Sequence, residues 1–120
     1  MADQQQIRDI AAITNMIQAI REIQEDTQGL TYETYLSQRT IRRAVERNCE
    51  IIGEAARRIS SPCRSTYSTI DWSGAIGFRN VIIHQYDQVN DQEVWLIVST
   101  LLPTLLAQLE TLLSELSEAS

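Results

Sequence analysis

Val94-Trp95-Leu96-Ile97-Val98-Ser99-Thr100-Leu101-Leu102-Pro103-Thr104-Leu105-Leu106-Ala107-Gln108-Leu109 is the stretch that decides the fold class. Its apolar residues return every three or four positions and continue so through Leu112, Leu113 and Leu116. That is the period of a helix lying on a core, not the alternation of a strand. Pro103 has no amide hydrogen, and its ring crowds the carbonyl four residues back. A bend or a reset of the helix is therefore expected there. Asp91, just upstream, is the expected N-cap.

The chain before this stretch repeats the helical period. Ile7, Ile10, Ile13, Ile17, Ile20 and Ile23 predict a first helix from Asp3, its cap, to about Asp26, with Gly29 ending the segment. Thr31 is placed to cap a second helix over Tyr32 to Ile59, bent or broken near Ser37 to Thr40. Ile41, Ala44, Val45, Asn48, Ile51, Ile52, Ala55, Ala56 and Ile59 give that helix a wide apolar stripe. Gly53 within it costs about 1 kcal/mol of helix propensity relative to alanine. The small run Gly53, Ala55, Ala56 suits close approach by another helix, with a turn as the alternative. Asn48 and Glu54 read as structural hydrogen-bond partners. Ser60 to Ile70 reads as a connector containing Pro62 and pinned by Tyr67 and Ile70. Asp71 should cap a shorter helix from Trp72 to about His84, facing inward through Trp72, Ile76 and Ile83, with Gly77 clearing space before Arg79. A second connector follows from Gln85 to Asn90. Four helices with short links predict an all-α, up-down bundle in one domain over 1–120, with an ordered core at about 3–116. The apolar faces are wider than a small monomer needs, which predicts a homodimer.

The charge balance narrows the functions. The net charge is -6, which argues against a general nucleic-acid binder. All ten basic residues are arginines. Seven of them lie between Arg39 and Arg64 against three glutamates, so this segment carries +4 and the rest of the chain -10. A basic stripe on an acidic body suits a local phosphate-binding surface, a dock for an acidic protein, or a solvated face laced with ion pairs. Glu46 and Glu50, at helical spacing from Arg42, Arg43 and Arg47, favour the last of these. Cys49 in a helix and Cys63 in a loop are too few and wrongly spaced for zinc, and read as two buried thiols. The first residues are polar and no apolar run reads as membrane-spanning, so a cytoplasmic protein without membrane contact is expected.

One polar stretch stands apart: Phe78-Arg79-Asn80-Val81-Ile82-Ile83-His84-Gln85-Tyr86. It holds the only histidine. Histidine exchanges a proton near neutral pH. Arginine keeps its charge and offers a planar fork that fits phosphate oxygens. Together they suffice to cleave a phosphodiester without metal or cofactor. The carboxylate cluster that would hold magnesium is missing near them, since Asp87 and Asp91 read as turn and cap. Five helical positions separate two side chains by about 140°. Arg79 and His84 therefore meet only if His84 sits on a fraying last turn or Arg79 reaches round the helix. Asn80 shares a face with His84 and can orient it. The bland alternative is a histidine that only caps or packs, with Tyr86 as an aromatic anchor.

The pattern Arg-x4-His-x-Tyr resembles the signature of the HEPN superfamily, in the form found in HepT-like toxins. The resemblance extends to Gly53-Glu54-Ala55-Ala56, Trp72 and Val94-Trp95, and so covers nearly the whole chain. It implies a dimeric helical domain that cuts RNA as the toxin of a type VII-like toxin–antitoxin system. A 2'-hydroxyl would attack the adjacent phosphorus, His84 would serve as general acid or base, and Arg79 would neutralise the phosphoryl oxygens. It also implies a partner, a minimal nucleotidyltransferase antitoxin that transfers AMP to Tyr86. Two rival readings stay open. One is a non-catalytic substrate- or nucleotide-binding subunit of a two-component nucleotidyltransferase, and the other a purely structural helical dimer.

Overall fold

The computed structural model describes residues 3–82 and 89–118. Every regular element among them is helical. Helix α1 (Gln4–Thr27) starts where Asp3 accepts a hydrogen bond from the Gln6 amide at 2.6 Å, a cap worth about 1 kcal/mol. Gly29 adopts φ 78°, the left-handed conformation that turns the chain after α1. Thr31 and Thr34 then form a reciprocal capping box that opens α2 (Tyr32–Ser37). The helix expected over Tyr32 to Ile59 is broken at Gln38, within the anticipated interval, and resumes as α3 (Arg39–Arg57).

The connector after α3 contains a helix that the sequence reading missed. Ser60 caps α4 (Ser61–Thr66), with Pro62 in its first turn, where no intrahelical amide bond is needed. Cys63 is thus helical rather than in a loop. Two side chains fasten this corner. Asp9 of α1, 4% exposed, accepts from the Ser60 amide at 2.9 Å and from its hydroxyl at 2.6 Å. Arg64 donates to the carbonyls of Ala56 and Arg57 at the end of α3 and of Ile59 just beyond it.

Helix α5 (Trp72–Ile82) follows Asp71, whose Oδ1 accepts from the Gly74 amide at 2.9 Å. The next cap is Asn90, not Asp91: its side chain accepts from the Glu93 amide. Asp91 instead begins α6 (Asp91–Leu96) and pairs with Arg42 of α3 at 3.5 Å. A π-helical turn (Ile97–Leu101) joins α6 to α7 (Leu102–Glu118). Pro103 accounts for that turn. It cannot donate to Ser99, and widening the preceding turn moves that carbonyl away from its ring. The Leu102 amide accordingly bonds back to Ile97.

One core joins these helices. Ile13, Met16, Ile20 and Ile23 of α1 meet Val45, Cys49 and Ile52 of α3 and Leu102, Leu109 and Leu112 of α7. Helix α3 packs between α1 and α5, while α7 lies on α1. Tyr35 is fully buried and stacks on Trp95 at 4.9 Å, which ties α2 to α6. Contrary to expectation, the 28-residue helical run Asp91–Glu118 is long and apolar enough to cross a bilayer by length and composition. Its inner row, Val94, Ile97, Val98, Leu102, Leu105, Leu109 and Leu112, is buried against the other helices.

Candidate functional site

The site is built where α5 crosses α3. A Cβ added at Gly53 would lie 3.1 Å from Arg79 Cβ, 3.2 Å from Arg79 N and 3.2 Å from Ile76 O. Only a hydrogen leaves room for α5 to run this close. A Cβ at Gly77 would meet nothing within 4 Å. The clearance expected from Gly77 is therefore supplied by the facing helix. Glycine at 53 is a packing residue inside a continuous helix, not a turn.

Arg79 leaves this crossing with its side chain 42% exposed, and its Nε lies 3.2 Å from Glu54 Oε1. An ion pair this exposed contributes little stability. Its consequence is geometric: one edge of the guanidinium is engaged by the carboxylate. The two Nη groups have no ion-pair partner among the described residues and form a fork able to grip phosphate. Arg79 and Glu54 line an open cleft of about 430 Å³ with Arg47, Glu50, Ile51 and Arg58. Asn80, the neighbouring residue on α5, is exposed and does not line the cleft. His84 and Tyr86 lie outside the described residues, as does Ile83, so the meetings of His84 with Arg79 and Asn80 stay at the level of sequence.

The chain re-enters the described structure at Val89, and its first helical residue after the motif, Asp91, sits on Arg42. The start of α6 is thereby attached to the same helix that carries Gly53 and Glu54. Tyr35 lies beneath this attachment. Burial, with the Asp91 and Glu46 carboxylates adding to it, pushes its phenol far above the ordinary value of 10.0. The basic segment of α3 is partly laced by ion pairs, as its spacing suggested: Arg43 to Glu46 at 3.0 Å and Arg47 to Glu50 at 3.5 Å. Asn48 is buried beside Asn15 and Gln18 of α1. Both thiols are free and buried. Burial, with Glu46 and Glu50 nearby, pushes Cys49 up to about 12, and burial beside Asp9 pushes Cys63 up to about 11. Neither is suited to act as a nucleophile.

Sequence reasoning named Arg79 and noticed Glu54, but did not bring the two together. It left the basic segment from Arg39 to Arg64 open as a phosphate-binding surface, a protein dock or a solvated face, and did not single out Arg47 and Arg58 within it. The signal was present in the spacing: positions 47, 51, 54 and 58 fall on one helix face.

A helical bundle that presents the arginine of an Arg-x4-His-x-Tyr stretch from a glycine-cleared crossing defines an all-α domain of the HEPN-like kind. The chain matches the ribonuclease HepT-like family over residues 16–112. It is 31% identical over 104 residues to a Methanocaldococcus jannaschii protein named "Putative RNase", covering 86% of this chain and 95% of that one. It is 30% identical over 100 residues to a Thermococcus cleftensis protein named "Probable ribonuclease HepT", covering 83% of this chain and 91% of that one. A Caldanaerobacter subterraneus protein, also named "Putative RNase", is 27% identical over 103 residues, covering 86% and 92%. No solved structure matches. The chain belongs to the HepT-like ribonuclease family.

Proposed function

We propose that this protein is a metal-independent endoribonuclease, the toxin of a toxin–antitoxin pair, with Arg79 and His84 as its catalytic residues. Membership of a ribonuclease family supports the class of reaction. The single structural observation that carries the reading is Arg79, its Nε 3.2 Å from Glu54 at the edge of a polar cleft and its Nη groups without an ion pair among the described residues. In RNA the nucleophile is the 2'-hydroxyl beside the scissile phosphorus. Proximity is therefore built into the substrate, and the protein must supply proton transfer and charge neutralisation. His84 supplies the first and Arg79 the second, while Asn80 orients the imidazole. The test is cleavage of end-labelled RNA in the presence of chelator. His84→Ala should lower the rate by about 10²–10⁴-fold and Arg79→Ala by about 10²–10³-fold. Full activity in a folded His84→Ala protein, or complete dependence on divalent metal, refutes the mechanism.

Control is proposed to lie at Tyr86, two residues beyond His84. A minimal nucleotidyltransferase antitoxin would transfer AMP to its hydroxyl, placing phosphate and bulk beside Arg79. Tyr86→Phe should keep cleaving RNA in the presence of that partner and ATP, and intact-protein mass spectrometry should show no gain of adenylyl mass. The active form is proposed to be a homodimer. Leu96 and Leu101, 57% and 49% exposed on the outer face of the last helical run, are apolar surface suited to burial by a second copy. Sedimentation equilibrium showing only a 13.7 kDa species at micromolar concentration counts against it. The net charge of -6 favours the rival reading, a non-catalytic binding subunit. That reading prevails if purified protein binds the nucleotidyltransferase and leaves RNA intact.

A further inference from the structure

Two arginines of the cleft have no role in the chemistry above. Arg47 on α3 and Arg58, the cap residue just past its end, stand eleven residues apart, and helical spacing returns them to one face about 16 Å apart along the axis. Gly53 and Glu54 lie midway, and that is where Arg79 crosses from α5. The cleft thus presents three guanidinium groups in a row, with the half-buried side chain of Ile51 among its lining residues. Arg47 is tied only loosely, 3.5 Å from Glu50 with its own side chain 72% exposed. Arg58 has no ion pair among the described residues. The larger cleft, about 700 Å³ between α1 and α7, is lined by Glu22, Glu25 and Glu110 against the single cation Arg21, and has the wrong sign for phosphate.

We propose that the face of α3 carrying Arg47 and Arg58 is a binding track for the backbone of single-stranded RNA, holding phosphates on either side of the one gripped by Arg79. This rests on the ribonuclease reading of the site and deepens it to a substrate class. A row of about 16 Å matches about five nucleotides at a stacked spacing of 3.4 Å. The cleft, about 430 Å³, is too small to enclose five nucleotides, so the strand runs along its open rim, where Arg47 and Arg58 are exposed, and the duplex arm of the test decides strandedness. Glu50 and Glu54 do not cancel the track, because each lies beside one arginine within it and leaves donors of that arginine unengaged. They reduce its charge to +1, which predicts modest affinity at physiological salt.

The test is fluorescence anisotropy with a ten-nucleotide 2'-O-methyl RNA, which cannot be cleaved through its 2'-oxygen, titrated at several salt concentrations. Each phosphate contact on a single strand contributes about -0.7 to the slope of log K against log salt. Arg47→Ala and Arg58→Ala should each make the slope shallower by about 0.7, and together by about 1.4. Over a fourfold rise in salt, each single variant then loses about 2.6-fold less affinity than wild type. Arg21→Ala, on α1 beside Glu110, should leave the slope unchanged. All three arginines are exposed or partly exposed, and circular dichroism confirms folding before titration. Unchanged slopes in both cleft variants, equal tightness for duplex RNA, or no binding by wild type overturns the track. Cleavage of ordinary RNA is assayed in parallel. Unchanged slopes in both cleft variants with RNA cleavage intact refute the track alone, whereas the predicted shallower slopes in the variants without cleavage by the wild type refute the ribonuclease and leave the track standing.

Discussion

Gly53→Ala sets two effects of opposite sign against each other, and the structure decides between them. Alanine improves the helix propensity of α3 by about 1 kcal/mol. Its Cβ, however, would lie 3.1–3.2 Å from Arg79 Cβ, Arg79 N and Ile76 O, so the neighbour must give by a few tenths of an ångström. None of the three atoms is the far end of a flexible side chain. Helix α5 must yield as a body, and overpacking of this kind costs about 1–3 kcal/mol. The expected net result is a destabilisation of about 0–2 kcal/mol, read as a lower urea midpoint with an unchanged m-value. Function should suffer more than stability. Moving α5 away from α3 also moves Arg79 away from Glu54, now 3.2 Å apart. Misplacement by 1 Å can cost about 10²-fold in rate, so a shift of a few tenths should slow RNA cleavage by about 3–10-fold. A Gly53→Ala protein that is more stable by the full propensity gain and cleaves RNA at the wild-type rate would refute the claim that this close crossing positions Arg79.

Two further outcomes follow from the packing. Arg64→Ala removes the donors to the carbonyls of Ala56, Arg57 and Ile59, and should lower unfolding free energy in urea by about 1–3 kcal/mol with cleavage retained. Cys49, pushed up from 9.0 to about 12, stays a protonated thiol in the folded chain. The stability this contributes is complete below about pH 9 and is lost as pH rises through 12. Thiol-reactive reagents at pH 8 should therefore modify Cys49 only as fast as the protein unfolds. Cys49→Ala, whatever it costs at neutral pH, should flatten the alkaline loss of stability.

The helices were legible because their signals are local. Asp3, Thr31 and Asp71 cap where their chemistry suggests, and the isoleucine and leucine rows bury as their period requires. Errors arose where two local signals competed. Asn90 and Asp91 are both good caps, and the ion pair with Arg42 on a distant helix draws Asp91 into the first turn. Ser60 to Ile70 was read as a connector containing Pro62, although a capping serine followed by proline in the first turn also starts a helix, and Asp9 stabilises that start from 51 residues away. Pro103 predicted a disturbance but not its form. A bend and a π-helical turn relieve the same clash, and the packing of Ile97 and Val98 into the core favours the turn.

The site was legible in its residues and not in its contacts, because a contact between helices depends on their relative placement, which no period encodes. Arg79 stands out in the sequence as the arginine of a polar motif, but what holds it is on another helix, 25 residues earlier. Gly53 and Glu54 divide the work as sequence neighbours. The missing side chain of the first lets α5 approach, and the carboxylate of the second then meets the guanidinium that arrives. Neither would serve without the other. A larger residue at 53 would carry Arg79 away from the acid, and without the acid Arg79 has no ion-pair partner among the described residues. The small residue that looks like a weakness in α3 and the acidic residue that looks like a structural partner therefore act on the same side chain: one lets α5 approach, and the other lies 3.2 Å from the guanidinium that arrives.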